Sequence, residues 1–383
     1  MARSIKVEVD PVIFRWLRES SGWSVDETAK RLRTNDNVVR AIEKGEKKPT
    51  LRQLEELSKA YRRPLATFFL AEPLPEPPLP KDYRMLPDRK GIFDKKTGYA
   101  IRKARNLQEI GGELSGNINY PTSPEISRVS LDHDPEELAY VYRNKFELTE
   151  KRQRDFDTAY KMFYHIRDRM EDMNVLVFQF SMPVEDARGF SLTDRDPNVI
   201  VINSRDNMEA RMFTLMHEFG HLLLGDTVID IPDVTKNHQD DVERWCNTFS
   251  SNFLLPRELA EKVFHEYRGE LTSTKTLGSI KYRYKVSKAM LLYNMLKFDF
   301  ITREEYEDTL NRYRPQSPEV GEERDDRKGG IPQDTRCLSE VGNKFVSLVA
   351  NNYDSNNITY SKALTYLSVR SSNFDKVLAK AKK

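Results

Sequence analysis

"RGFSLTDRDPNVIVINSRDNMEARMFTLMHEFGHLLLG" occupies residues 188–225 and changes character along its length. Its first part holds two short runs, "RGFSLTD" (188–194) and "PNVIVINSR" (197–205), which are β-branched and aromatic and bounded by turn formers, so they predict strands. With "NVLVFQF" (174–180) just upstream they make a small sheet. From 207 the apolar spacing becomes helical. Met212, Leu215, Met216, Phe219, Leu222 and Leu223 form one stripe over 207–224, and Gly225 ends the helix.

Two of the six histidines in the chain, His217 and His221, stand one turn apart on that helix, so both imidazoles project from one face. Nitrogens so placed can share one zinc ion, while Glu218, offset by about 100°, reaches a water on the metal without being a ligand. Tetrahedral catalytic zinc takes a third protein ligand and keeps its fourth position for water. Downstream, His238, Asp240, Asp241 and Glu243 offer one. Glu243 lies in a helix predicted over 239–254, beside the stripe Val242, Cys246, Phe249 and Phe253. The plainer counterpart is a histidine pair hydrogen-bonded within a core and a glutamate on a solvated surface. The run "NVIVIN" (198–203) is expected at a sheet edge above the cleft, where it would pair with an extended substrate.

Composition sets the frame. With 32% charged and 38% hydrophobic residues the chain suits two or three packed domains, and no run approaches the roughly 18 apolar residues that span a bilayer. Cys246 and Cys337 do not make a disulfide framework, and the first twenty residues lack the apolar core of a secretory signal. A cytoplasmic protein is expected. Net charge is only +2, but residues 1–70 hold 15 Lys/Arg against 10 Asp/Glu, a balance compatible with nucleic acid.

The chain reads as α+β and predominantly helical. Residues 1–70 form an all-α helix-turn-helix domain, 71–95 a proline-rich linker, 96–313 the zinc-site domain, 314–334 a charged linker and 335–383 a small helical module. In the first, Ser24 and Glu27 make a capping-box pattern, Asn35 caps a second helix and Gly45 ends it. In the middle, helical spacing recurs at 97–115, 135–147, 155–173, 257–268, 276–280 and 286–298.

The stretch from Arg188 to Asp226, followed by "VERWCNTFSSNFLLP" (242–256), resembles the ImmA/IrrE zinc peptidases. "PLATFFLAEPLPEPPLP" (64–80) after a helix-turn-helix is similar to members fused to an Xre-type DNA-binding domain. The resemblance implies a zincin-like domain with His217, His221 and Glu243 as ligands and Glu218 as catalytic base. It implies a regulatory endopeptidase that cleaves a transcriptional repressor encoded nearby, in a stress response or a toxin–antitoxin-like operon. The alternative is a DNA-binding regulator whose zinc site is structural or silent. In Xre-type domains the second helix of the pair enters the major groove, so Asn35, Asn37, Arg40 and Lys44 would face double-stranded DNA. A homodimer is compatible with this reading. The chain departs from the pattern at Trp245–Cys246, at Asn294 in place of a frequent arginine, and at Arg33, where the turn often has glycine.

Overall fold

The computed structural model describes residues 5–74, 94–225, 236–313 and 331–381, without the side chains of 236–240. Most of both expected linkers, and the side chains of His238 and Asp240, lie outside the described residues. The described residues up to Lys103 belong to one compact unit and those from Ala104 onward to a second.

The first unit contains α1 (Pro11–Ser20), α2 (Val25–Arg31), α3 (Asp36–Glu43), α4 (Leu51–Tyr61) and a 3-10 turn at Leu65–Phe69. The capping box opening α2 forms in full: Glu27 N donates to Ser24 Oγ at 3.1 Å, and Ser24 N to Glu27 Oε2 at 2.9 Å. Between α2 and α3 the chain turns through Arg33 at φ 53°, a left-handed conformation that glycine would adopt without strain. The helix-turn-helix forms despite the arginine. Ile13, Leu17, Val39, Ile42, Leu54 and Leu57 make its core. A buried ion pair, not anticipated from sequence, ties α1 to α3: Arg18 Nε donates to Glu43 Oε1 at 2.6 Å and Nη2 to Oε2 at 3.2 Å.

Helix α5 (Lys95–Asn117) begins in the first unit and continues into the second. There follow α6 (Pro135–Lys145), α7 (Glu150–Asp155) and α8 (Ala159–Asp172), then strands β1 (Leu176–Phe180), β2 (Gly189–Leu192) and β3 (Val199–Asn203). The sheet order is β1-β3-β2, with β1 parallel and β2 antiparallel to β3. The strand expected at the edge is therefore the middle one, and β2 takes an edge. The reason is legible afterwards: "VIVI" is apolar on both faces, as a strand covered on both sides requires, whereas β2 carries Gly189 and Ser191.

Helices α9 (Met208–Leu224) and α10 (Lys236–Leu254) pack against each other, α9 also against β2 and β3, and α10 against α6. The aromatic rings of Tyr142, Phe219 and Phe249 meet between these helices, and Trp245 stacks on Phe249 at 5.6 Å. Four further helices, α11 (Arg257–Glu266), α12 (Thr274–Tyr284), α13 (Lys288–Lys297) and α14 (Arg303–Tyr313), follow. Neither α7 nor α14 was expected, since both are short and polar, burying only Gln153 and Thr309 respectively.

The C-terminal segment contains α15 (Gln333–Asp354), α16 (Tyr360–Leu367) and α17 (Ser371–Ala381). It packs on β1 and α8 inside the second unit. Helix α15 is broken at Gly342 (φ 81°), and the buried pair Arg167 and Glu171 of α8 sits in the break. Arg167 donates to the carbonyl of Ser339 at 2.8 Å, where the first half ends. Glu171 accepts from Lys344 N at 2.9 Å, where the second half begins. Cation and anion thus complement the two half-helix dipoles.

Candidate metal centre

Helix α9 opens on Asn207, whose side chain accepts from Ala210 N at 2.9 Å, and closes on Gly225 at φ 63°. His217 and Glu218 are fully buried and His221 nearly so. The histidines' Nε2 atoms stand 3.1 Å apart. Glu243, on α10, bridges them: Oε2 lies 3.3 Å from His217 Nε2, and Oε1 3.3 Å from His221 Nε2. Among the described residues these three form the one cluster of His, Cys, Asp or Glu with metal-ligand spacing, all donor atoms lying within 4.8 Å of one another.

Those separations test whether zinc fits. Ligands about 2.0–2.1 Å from a tetrahedral zinc are about 3.3–3.4 Å from one another, so the 3.1–3.3 Å triangle is close to one face of that tetrahedron. The donor set, two imidazoles and a carboxylate, suits the ion. Burial alone would raise the Glu243 carboxyl, but hydrogen bonds and attraction from His217 and His221 hold it far below the ordinary range. Of the other candidates, Asp241 is exposed and paired with Arg244 of its own helix, while His238 and Asp240 fall outside the described side chains.

Local packing brings Glu243 there. Gly220, inside the histidine spacing, leaves α9 bare where Cys246 of α10 crosses it. Burial pushes the Cys246 thiol up, with His221 pulling the other way. On the sheet side Gly189 plays the same part, because a Cβ there would stand 2.6 Å from Thr214 Cγ2 and 2.9 Å from Val201 O. Two residues on, Ser191 Oγ donates to Glu218 Oε2 at 3.1 Å. Sequence reasoning missed Ser191; the one local signal is a glycine two positions earlier on the same strand face.

The four DNA-facing candidates are exposed: Asn35, Asn37 and Arg40 at or along the start and middle of α3, Lys44 at its C-terminal end. Asn35 already accepts from Val38 N at 3.1 Å, so its carbonyl oxygen caps the helix.

Residues 170–296 match the family model described as the IrrE N-terminal-like domain, and residues 14–68 match a helix-turn-helix model. The region is an IrrE/ImmA-like peptidase-family domain. It follows an Xre-type helix-turn-helix domain. The IrrE-like domain holds every residue of the cluster, together with Ser191. A relative among curated proteins is the radiation response metalloprotease IrrE of Deinococcus radiodurans, 31% identical over 105 residues, covering 26% of this chain and 31% of the relative. The alignment therefore spans about a third of that relative's length. No helix among the described residues is long and apolar enough to cross a membrane.

Proposed function

We propose that the chain is a zinc-dependent endopeptidase that regulates transcription by cleaving a partner DNA-binding repressor in the cytoplasm. The observation that supports this most is the triangle of His217, His221 and Glu243 donors, with the Glu218 carboxylate on the same helix as the two histidines. A purely structural zinc site has no use for Glu218. Zinc bound there would supply a Lewis acid able to activate water near neutral pH. Glu218 takes a proton from the attacking water as the peptide carbonyl carbon gains an oxygen. It then delivers that proton to the departing amine, so that water and peptide become carboxylic acid and amine. The buried setting of Glu218 keeps competing solvent from that carboxylate. Strand β2, an edge of the sheet and hydrogen-bonded to Glu218 through Ser191, is the place where an extended substrate would lie.

The helix-turn-helix domain docks DNA or the partner through the exposed side of α3. On DNA, Asn37 and Arg40 reach base edges and Lys44 a phosphate, with Asn35 contributing its amide nitrogen. Lys30 and Lys48 are paired with Asp26 and Glu8 on the surface at 2.7 and 3.1 Å.

The deciding experiment incubates zinc-loaded wild type and Glu218→Gln with the helix-turn-helix repressor encoded beside the gene. Cleavage by wild type alone is expected. Equal cleavage by both, or by neither, favours a DNA-binding regulator with a silent zinc site.

A further inference from the structure

We propose that Ser191 is a positioning residue for Glu218, fixing which oxygen of that carboxylate faces the attacking water. The inference rests on the peptidase reading and extends it to a residue outside the histidine-bearing helix. Three observations carry it. Ser191 Oγ lies 3.1 Å from Glu218 Oε2, a contact between residues 27 apart in sequence. Both side chains are buried, Ser191 at 2% exposure and Glu218 at 0%, so water does not substitute for the bond. Gly189 holds the strand close enough for the contact: a Cβ there would stand 3.5 Å from Glu218 Cγ and overlap Thr214 and Val201.

The chemistry explains a hydroxyl at this place. A serine hydroxyl donates one hydrogen bond and also accepts. It donates to Glu218 Oε2 while the carboxylate is ionised, and goes on donating to that oxygen once the proton has arrived on Oε1. A lysine or arginine would favour the ionised form alone and oppose the second transfer. An alanine would leave Oε2 without this partner, and the carboxylate would lose its fixed torsion. Engaging Oε2 assigns the proton traffic to Oε1.

The test uses the full chain loaded with one equivalent of Co(II), whose visible spectrum reports ligand exchange, titrated with acetohydroxamate. This ligand binds an open metal position through two oxygens and passes its hydroxyl proton to a neighbouring base. Ser191→Ala and Ser191→Val should each weaken acetohydroxamate binding about tenfold, the cost of one hydrogen bond to a charged group. Ser191→Thr, the same shape as valine but with the hydroxyl, should stay within about threefold of wild type. In a Glu218→Gln background Ser191→Ala should have less than about a twofold effect, because the cycle isolates the pair. Wild-type binding by Ser191→Val, weakening of Ser191→Thr to the valine level, an undiminished effect in the Glu218→Gln background, or loss of the bound cobalt from both Ser191→Ala and Ser191→Val would overturn the proposal. A wild-type protein that takes up no cobalt, or whose cobalt ignores acetohydroxamate, would instead overturn the peptidase reading itself.

Discussion

Cys246 Sγ rests against the bare backbone of Gly220: a Cβ at 220 would stand 3.1 Å from the sulfur and 3.4 Å from Cys246 Cα. That close crossing places Glu243, about one turn before Cys246, within reach of both histidines. Gly220→Ala should gain about 1 kcal/mol of helix propensity yet press α10 outward by tenths of an ångström. Zinc affinity is expected to fall about tenfold, as when the support of a ligand is disturbed. Competition with a chromophoric chelator measures it; an unchanged affinity would mean that α10 yields without moving Glu243.

Ligand and base separate by stability. Zinc at a hundred times its Kd should raise the unfolding free energy by about 2.7 kcal/mol, and chelation should remove the gain. Glu243→Ala and His221→Ala should lose most of this increment. Glu218→Gln should keep it, since that carboxylate is not in the donor triangle. Thermal unfolding with and without zinc gives the comparison, and a full increment in Glu243→Ala would exclude its carboxylate as a ligand.

Glu171 makes the second unit sensitive to pH. Burial raises its carboxyl from 4.5 to about 6, against the opposing pull of Arg167 and the Lys344 amide. The folded chain therefore binds this proton more tightly than the unfolded chain. The group's contribution to stability is fully present below about pH 4.5 and is lost as pH rises through about 6. At 1.36 kcal/mol per unit, the loss is about 2 kcal/mol by pH 7. Urea unfolding of wild type and Glu171→Gln across pH 4.5–7 should show that slope in wild type and its absence in the variant.

Gly342 has no room for a side chain. A Cβ there would lie 2.0 Å from Glu171 Oε1 and 2.6 Å from Arg167 Nη2, on a backbone already at φ 81°. Gly342→Ala should cost roughly 3 kcal/mol or more, combining backbone strain with disruption of a buried ion pair. Hydrogen exchange should speed most across α15 and β1. Unchanged protection there would show that the break in α15 does not hold the segment on the sheet.

Arg33 offers a gain. Its left-handed φ of 53° costs an L-residue about 1–2 kcal/mol, of which glycine returns part as unfolded-state entropy. Arg33→Gly should stabilise the helix-turn-helix by about 0.5–1 kcal/mol. Amides of α2 and α3 should then exchange about threefold more slowly; faster exchange would mean that the guanidinium makes a contact worth more than the strain.

What could be read in advance was local. His217, Glu218 and His221 lie within five consecutive positions of one amphipathic helix, so the 3.6-residue period alone aligns the imidazoles. Ser24 with Glu27 and Asn35 with Val38 are contacts three residues apart, and both formed. Helices α7 and α14 escaped notice because they bury almost nothing, and the periodic signal is burial itself.

From the amino-acid order alone came the helix-turn-helix, the paired histidines with their neighbouring glutamate, and Glu243 as one of four downstream donors. Tertiary structure brought Glu243 to the histidines, moved β3 to the centre of the sheet, brought Ser191 to Glu218 and seated α15 on β1. Period-2 alternation tells which face a strand buries but not which neighbour it takes. The Arg167 bond to Ser339 joins residues 172 positions apart, and no local propensity encodes a contact of that span. It exists because an uncompensated buried guanidinium is costly, and the broken end of α15 supplies the carbonyls that satisfy it.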